Sequence, residues 1–399
     1  MSDATTIQRL ADLLVGFGAN VQPGQIVAVS SEIGKEPLTR AIAASAYRHG
    51  ASFVDVVYAD MHVRRARIEF GDDAALETVP SWIGERILRL GDQHCARIAL
   101  TGPVEPGLLR DLDPSRVGRD KSQALREVGK VINERTTNWT IGPCPTPGWA
   151  ALVHPELEPD AALAKLWEEI VHVCRLDEAD PVAAWRERMA TLSGVAERLT
   201  AAGFDALHFE GPGTDLTVGL LPSSSFISAA FETIDGLRHA PNLPSEEVFT
   251  TPDPERTEGY VTATKPLLVG GTTITGLRVR FEGGRAVAID ADEGAGTLRE
   301  LTRQDDNGVR LGEVALVDRE GRIGPLGTVF YDTLLDENAA SHIALGNGFA
   351  FAVGGDDVAR MNTSVIHIDF MIGGNDVDVT GITTAGERVQ VLRGGTWQL

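Results

Sequence analysis

Gln25-Ile26-Val27-Ala28-Val29 and Phe53-Val54-Asp55-Val56-Val57-Tyr58 are two β-rich runs separated by a helical stretch from about residue 36 to residue 49, and that order decides the architecture of the first half. Gln22-Pro23-Gly24 turns into the first run, and Gly50 ends the helix before the second. Residues 25–58 therefore read as a βαβ-like unit, which commits the N-terminal portion to an α/β fold. Ahead of it, Ile7, Leu10, Leu14 and Phe17 fall on one helical face. Further strands are expected at residues 97–100, 131–133 and 137–141, and helices around residues 82–89 and 161–174. The proline-rich stretch 142–149 reads as a substantial loop.

After a helix that ends near Ala201 the texture changes, and glycine and β-branched residues dominate. A hairpin turn at residues 281–285 joins expected strands at 273–280 and 286–289. The chain thus reads as an α/β N-terminal domain, residues 1–200, followed by a mainly β (α+β) C-terminal domain, residues 201–399. Its 399 residues exceed one ordinary core, in agreement with two domains. No glycine-rich phosphate fingerprint follows the first strand, where Ser30-Ser31-Glu32-Ile33-Gly34-Lys35 stands instead, which argues against nucleotide binding.

The balance of 57 acidic against 36 basic residues gives a net charge of −21, which discourages binding to nucleic acid or anionic membrane surfaces and favours cationic ligands. The three cysteines, Cys95, Cys144 and Cys174, show no paired spacing and read as buried thiols. The N-terminal residues lack a basic region and an apolar core, and no run approaches the ~20 apolar residues of a membrane span, so a cytoplasmic enzyme is expected.

Residues 362–370 read Asn-Thr-Ser-Val-Ile-His-Ile-Asp-Phe. With strand alternation, His367 and Asp369 share one face while Ile366, Ile368 and Phe370 anchor the other, which is how a metal-ligand pair is built. The same half carries Glu247, Glu313, Glu337 and His342 in apolar settings, where unpaired charge is costly. Alternation sends Glu246 and Glu247 to opposite faces, so at most one enters a common site, and the pattern alone does not choose. If residues 336–346 are helical, Glu337 and His342 lie about 140° apart and converge only with Glu337 at or before the first turn. Four carboxylates and two imidazoles suit two divalent ions at an open catalytic site better than a closed structural zinc site. No His-Glu-x-x-His or Gly-x-Ser-x-Gly motif offers another hydrolytic mechanism.

Four ordered segments, residues 242–252, 311–316, 336–346 and 362–373, resemble the motifs of the M29 metallopeptidases, the aminopeptidase T / aminopeptidase S / PepS group. The resemblance runs over most of the chain. It implies a C-terminal domain carrying a dinuclear site, a homodimer, and removal of N-terminal amino acids from peptides with a free N-terminus. It selects Glu247 over Glu246, because the family's ligand directly precedes Val-Phe, and it assigns Glu313, His342, His367 and Asp369 to the other ligand positions. Glu337 also lies in a matching motif, as a ligand or as the carboxylate that relays a proton. Two divalent ions, Zn, Co or Mn, are implied. One departure is Phe349, where the family commonly has a tyrosine whose hydroxyl stabilises the tetrahedral intermediate.

Two other functions fit parts of the pattern. His342, His367 and Asp369 form a two-histidine, one-carboxylate set of the kind that holds mononuclear iron in ring-cleaving dioxygenases, although Glu247 and Glu313 are then superfluous. A catalytically weakened metal- or peptide-binding homologue is the other, motivated by Phe349.

Overall fold

The computed structural model describes residues 4–121, 126–228 and 230–399. Strands Ile26–Glu32 (β1) and Phe53–Ala59 (β2) flank the helix Glu36–Arg48, which has proline in its first turn and buries Leu38 and Ile42. With Ala96–Thr101 (β3) and Trp139–Pro143 (β4) they form a four-stranded parallel sheet of order β2-β1-β3-β4. In such sheets the crevice at the carboxyl ends of the strands is the usual ligand site. Here the chain's own residues occupy it: the Asp332 carboxylate accepts from Gly102 N (2.8 Å) and the Thr101 hydroxyl (3.2 Å), and Trp149 Nε1 donates to the Phe330 carbonyl (2.5 Å).

Three local expectations are corrected. Residues 131–133 belong to the helix Arg126–Asn133, not to a strand. Val128, Val131 and Ile132 are spaced i, i+3, i+4, a helical face that three consecutive residues could not reveal. The proline-rich loop is shorter than expected, because β4 runs to Pro143 and Thr146 caps the helix Pro147–Val153 by accepting from Trp149 N. The strand expected at 273–280 is split. Thr272–Ile274 pairs with Leu267–Val269 in a separate ribbon, and the hairpin strand is Arg278–Glu282.

The helix Pro181–Ala202 ends at Gly203, whose left-handed φ of +58° turns the chain into strand Phe204–Gly211. From there the structure is mainly antiparallel β, with one sheet of eight strands and one of five. The five-stranded sheet holds Glu247–Thr250 (β5), Leu311–Val317 (β6), His342–Gly346 (β7) and His367–Met371 (β8) in the order β8-β7-β6-β5, with Ile227–Ser228 at its edge. Every residue of β6 is buried, so this sheet is covered on both faces. One apolar core runs from Leu10 through Trp185 to Leu392, joining the two sheet systems. The outer edge of β4 receives residues 241–243, with Ile141 N donating to Pro241 O (2.7 Å) and Leu243 N to Ile141 O (3.0 Å), which hangs Asn242 beside the five-stranded sheet.

Cys95, Cys144 and Cys174 are buried free thiols, and burial pushes the Cys144 thiol up to about 12. Among the described residues no helix is long and apolar enough to cross a membrane.

Candidate metal centre

The inner face of the five-stranded sheet collects the acids through its register. Phe249 pairs with Ala315 and Ala315 with His342, while Glu313 pairs with Ala344 and Ala344 with Asp369. Directly opposed residues share a face, so Glu247, two residues before Phe249, joins His342, Glu313 and Asp369 above one floor. At the centre of that floor stand Ala315 and Ala344, which leave room for the longer side chains around them to converge. Glycine sets the spacing at two points. A side chain at Gly312 would meet the carbonyls of Gly346 and Asn347 at 2.3 Å, and Gly346 combines a φ of +109° with an approach of 2.1 Å to Ile366 O.

Glu337 arrives from outside the sheet, as the last residue of the short helix Thr333–Glu337. Residues 336–346 are not one helix: the helical turn stops at Glu337, and His342 opens strand β7. The break follows from composition: Asn338 caps the helix, and the Ile-Ala-Leu run after His342 is needed as a fully buried strand. A turn between the two elements, not a helical angle, lets both side chains meet. The strand expected from residue 362 likewise begins only at His367, with His367 and Asp369 on the inner face as alternation requires.

All six residues line one cavity of about 910 Å³. Three triads place a ligand atom from each member within 4.8 Å of the others: Glu247, Glu313 and His342; Glu313, His367 and Asp369; and Glu337, His342 and Asp369. Each pair of triads shares one residue, so the three form one cluster. His342 Nε2 lies 3.1 Å from Glu247, and His367 Nε2 lies 3.0 Å from Glu313 and 3.3 Å from Asp369. On the far side of each ring Nδ1 meets a backbone carbonyl, Ala340 O at 3.3 Å and Asn347 O at 2.8 Å. A carbonyl only accepts, so Nδ1 carries the proton in both rings and Nε2 is the nitrogen aimed at the carboxylates.

Electrostatics make the same arrangement costly without cations. Among the described residues no lysine or arginine pairs with any of the four carboxylates. Burial, reinforced by Asp369 and Glu247, holds the Glu337 carboxyl well above its ordinary range. Burial likewise raises Glu313 to about 7, against the pull of His367. Burial alone would lower the His342 imidazole, but Glu247, with help from Glu313 and Asp369, holds it up at about 10. Asp369 Oδ1 is buried and lies 3.3 Å from His367 Nε2, a contact without good hydrogen-bond geometry. Two imidazoles turned Nε2-inward and four converging carboxylates without a lysine or arginine partner are the donor set of divalent cations, and the residues fit such ions.

Glu246 lies on the other side. Its carboxylate accepts from Arg175 (2.8 Å) and Arg188 (2.5 Å), and Arg188 also reaches Asp318 (2.6 Å). Several supporting residues carried no distinct signal of their own. Asn338 accepts from Glu246 N (2.6 Å) and donates to Leu334 O (2.9 Å) and Glu337 (3.4 Å), and Asn242 reaches Glu337 at 3.5 Å. Thr251 pins Phe349 through both backbone N–H and carbonyl. Asn338 directly follows Glu337 and Asn242 opens the motif segment that holds Glu247, and those places in the motifs are the one hint the sequence offers.

Comparison with known proteins agrees over the whole length. The model of the family described as thermophilic metalloprotease (M29) matches residues 3–397. The chain is 41% identical to aminopeptidase T of Thermus aquaticus over 98% of both chains, and 35% identical to aminopeptidase 2 of Geobacillus stearothermophilus over 98% of this chain and 97% of that one. The solved structure of wild-type AmpT from Thermus thermophilus superposes with a TM-score of 0.88 at 39% identity, covering 99% of each chain. A 2,5-dihydroxypyridine dioxygenase from Pseudomonas putida KT2440 shares the fold at 14% identity, with a TM-score of 0.52 over 100% of this chain and 98% of that one. From its matched length and its relatives, the chain belongs to the M29 family of metalloproteases.

Proposed function

We propose that this protein is a metal-dependent aminopeptidase that hydrolyses N-terminal amino acids from peptides at a dinuclear site. The observation that carries this reading is the cluster of overlapping triads, in which Glu313 belongs both to a set with Glu247 and His342 and to a set with His367 and Asp369. Glu313, common to both sets, would be shared between two ions, and Glu337 would complete the ligand set from the helix side. Bound Zn, Co or Mn would polarise the scissile carbonyl and make water a stronger acid. Glu337, braced by Asn242 and Asn338, takes the proton from the attacking water and delivers it to the leaving amine. A metal or a spare acid would hold the substrate's free α-amino group, which would restrict cleavage to the first residue. The division of the chain near residue 200, assembly as a homodimer and a cytoplasmic location belong to the same reading.

Phe349 occupies the position of the family tyrosine, with its ring 5.3 Å from that of His367. Without the hydroxyl, one donor to the tetrahedral intermediate is missing, a loss of typically about 10²–10³ in rate. Phe349→Tyr is expected to raise kcat. The decisive experiment is hydrolysis of aminoacyl-p-nitroanilides by chelator-stripped protein restored with Zn, Co, Mn or Fe(II), with bound metal counted. Restored cleavage with two ions per chain supports the proposal. A single iron without cleavage would move the protein to the oxygenase chemistry of its distant fold relative. Full occupancy without cleavage, in the natural protein and in the Phe349→Tyr variant alike, would leave a binding role.

A further inference from the structure

We infer that the cavity selects large apolar N-terminal side chains, aromatic ones and leucine, through a wall made by Trp139, Phe231, Phe249 and Phe349. This rests on the aminopeptidase reading of the same site and adds the class of residue removed. The wall starts at the metal cluster itself. Phe249 follows Glu247 by two residues on β5, so it faces the same cavity about 7 Å further along the strand. Its ring lies 5.3 Å from that of Phe349, which in turn lies 5.3 Å from His367. Phe231 continues the row 5.9 Å beyond Phe249, and Trp139 stands 5.9 Å beyond Phe231, edge to face. A substrate whose α-carbon sits at the acids therefore has its first side chain directed along a row of ring faces and edges, which bind apolar groups and add specific ring contacts for aromatic ones.

The wall is shaped before substrate arrives. Thr251 fixes the Phe349 backbone, and Phe351 backs the row at 4.7 Å from Phe231 and 5.4 Å from Phe349. It also has no charge to offer. Outside the metal cluster, the charged residues lining the cavity among the described residues are Arg126 and Lys130 on the helix Arg126–Asn133, and Asp305 and Asp306. Asp305 is already engaged by the Ser364 hydroxyl and Val365 N. None of these four lies on the elements that supply the rings, so an arginine, lysine or glutamate side chain placed against the wall loses its hydration without a partner. Phe349 strengthens this selection, since a phenyl ring stands where a tyrosine would present a hydroxyl.

The test measures both turnover and binding. Phenylalanyl-, leucyl-, alanyl-, arginyl- and glutamyl-p-nitroanilides are compared by kcat/KM. Binding of free L-phenylalanine, L-alanine and L-arginine to protein supplied with Zn, Co or Mn is measured by calorimetry. Phenylalanyl and leucyl substrates are expected to exceed the arginyl and glutamyl ones by about tenfold or more, and free phenylalanine to bind more tightly than alanine or arginine. Phe249→Ala, and separately the less buried Phe231→Ala, are expected to shrink the phenylalanyl-to-alanyl ratio about tenfold, through KM. Phe249→Leu should restore most of the leucyl preference. Equal or better use and binding of arginine, or a ratio that neither alanine variant changes, overturns the inference. Tight phenylalanine binding with no turnover of any anilide supports the apolar wall while refuting the aminopeptidase reading.

Discussion

Glu246 and Glu247 are consecutive residues that enter two buried charged clusters of opposite design. On one side Glu246 and Asp318 meet Arg175 and Arg188, two acids with two permanent cations, and Arg175 also stacks 4.7 Å over Trp185. On the other side Glu247 joins Glu313, Glu337 and Asp369 with only His342 and His367 for company. The first cluster is balanced in charge as folded, although Arg175 Nε and Asp318 Oδ2 make no hydrogen bond, and it ties the long helix Pro181–Ala202 to the start of β5. The second sets four carboxylates against two imidazoles, with no lysine or arginine paired to any of the four among the described residues. The difference teaches what a buried charge is for: one that comes with its own counter-ion holds elements together, while one that lacks it is open to a cation from outside.

Four experiments break or sharpen that contrast. The largest effect belongs to the acid-rich cluster: stripping with chelator, or Glu313→Gln, is expected to abolish peptide hydrolysis and bound metal, whereas Glu246→Gln should retain the metal count of the natural protein. Metal retained in full by the Glu313 variant would dissolve the distinction. Next, Glu337→Gln is expected to lower kcat by about 10²–10⁴-fold, the usual worth of a positioned proton-transfer group. A drop confined to KM would assign Glu337 to substrate binding instead.

The balanced cluster answers to stability. Glu246→Gln leaves two buried guanidinium groups short of a carboxylate and is expected to cost about 3–5 kcal/mol in denaturant unfolding, with metal still bound. An unchanged midpoint would show that the arginines find other partners. The smallest effect concerns a third kind of buried group, His239, which is 5% exposed. Burial, only partly opposed by the Leu237 backbone, lowers it to about 4. In the unfolded chain it titrates near 6.5, so between those values the unfolded state binds more protons. Its contribution is present above about pH 6.5 and is lost as pH falls towards about 4, by up to about 3 kcal/mol. His239→Leu should flatten that part of the acid limb in thermal or denaturant unfolding, and an identical limb would remove His239 from the list of acid-sensitive groups.

Much of this was legible in local pattern. The βαβ unit, the texture change after Gly203 and the pairing of His367 with Asp369 on one strand face all follow from periodicities of two and 3.6, which act over a few residues and need no knowledge of the rest. Local reading failed where a short window fitted two states. Residues 131–133 are β-branched enough for a strand, yet Val128 and Val131 set a helical face, and the stretch around His342 turned out to be strand because only a fully buried partner for β6 satisfies both.

The sequence by itself determined that six acids and imidazoles sit among apolar neighbours and must be paired, because charge in such surroundings is too costly alone. It also determined that Glu246 and Glu247 part company. Alternation left open which of them joins the acid-rich cluster; the resemblance to the family pointed to Glu247, and the folded chain sets Glu247 among those acids. That choice depends on where Arg175 and Arg188 arrive from a helix far away in the chain, and on the register that sets Ala315 and Ala344 beneath the converging side chains. Long-range register and the delivery of counter-charges are properties of the folded chain, and no periodicity encodes them.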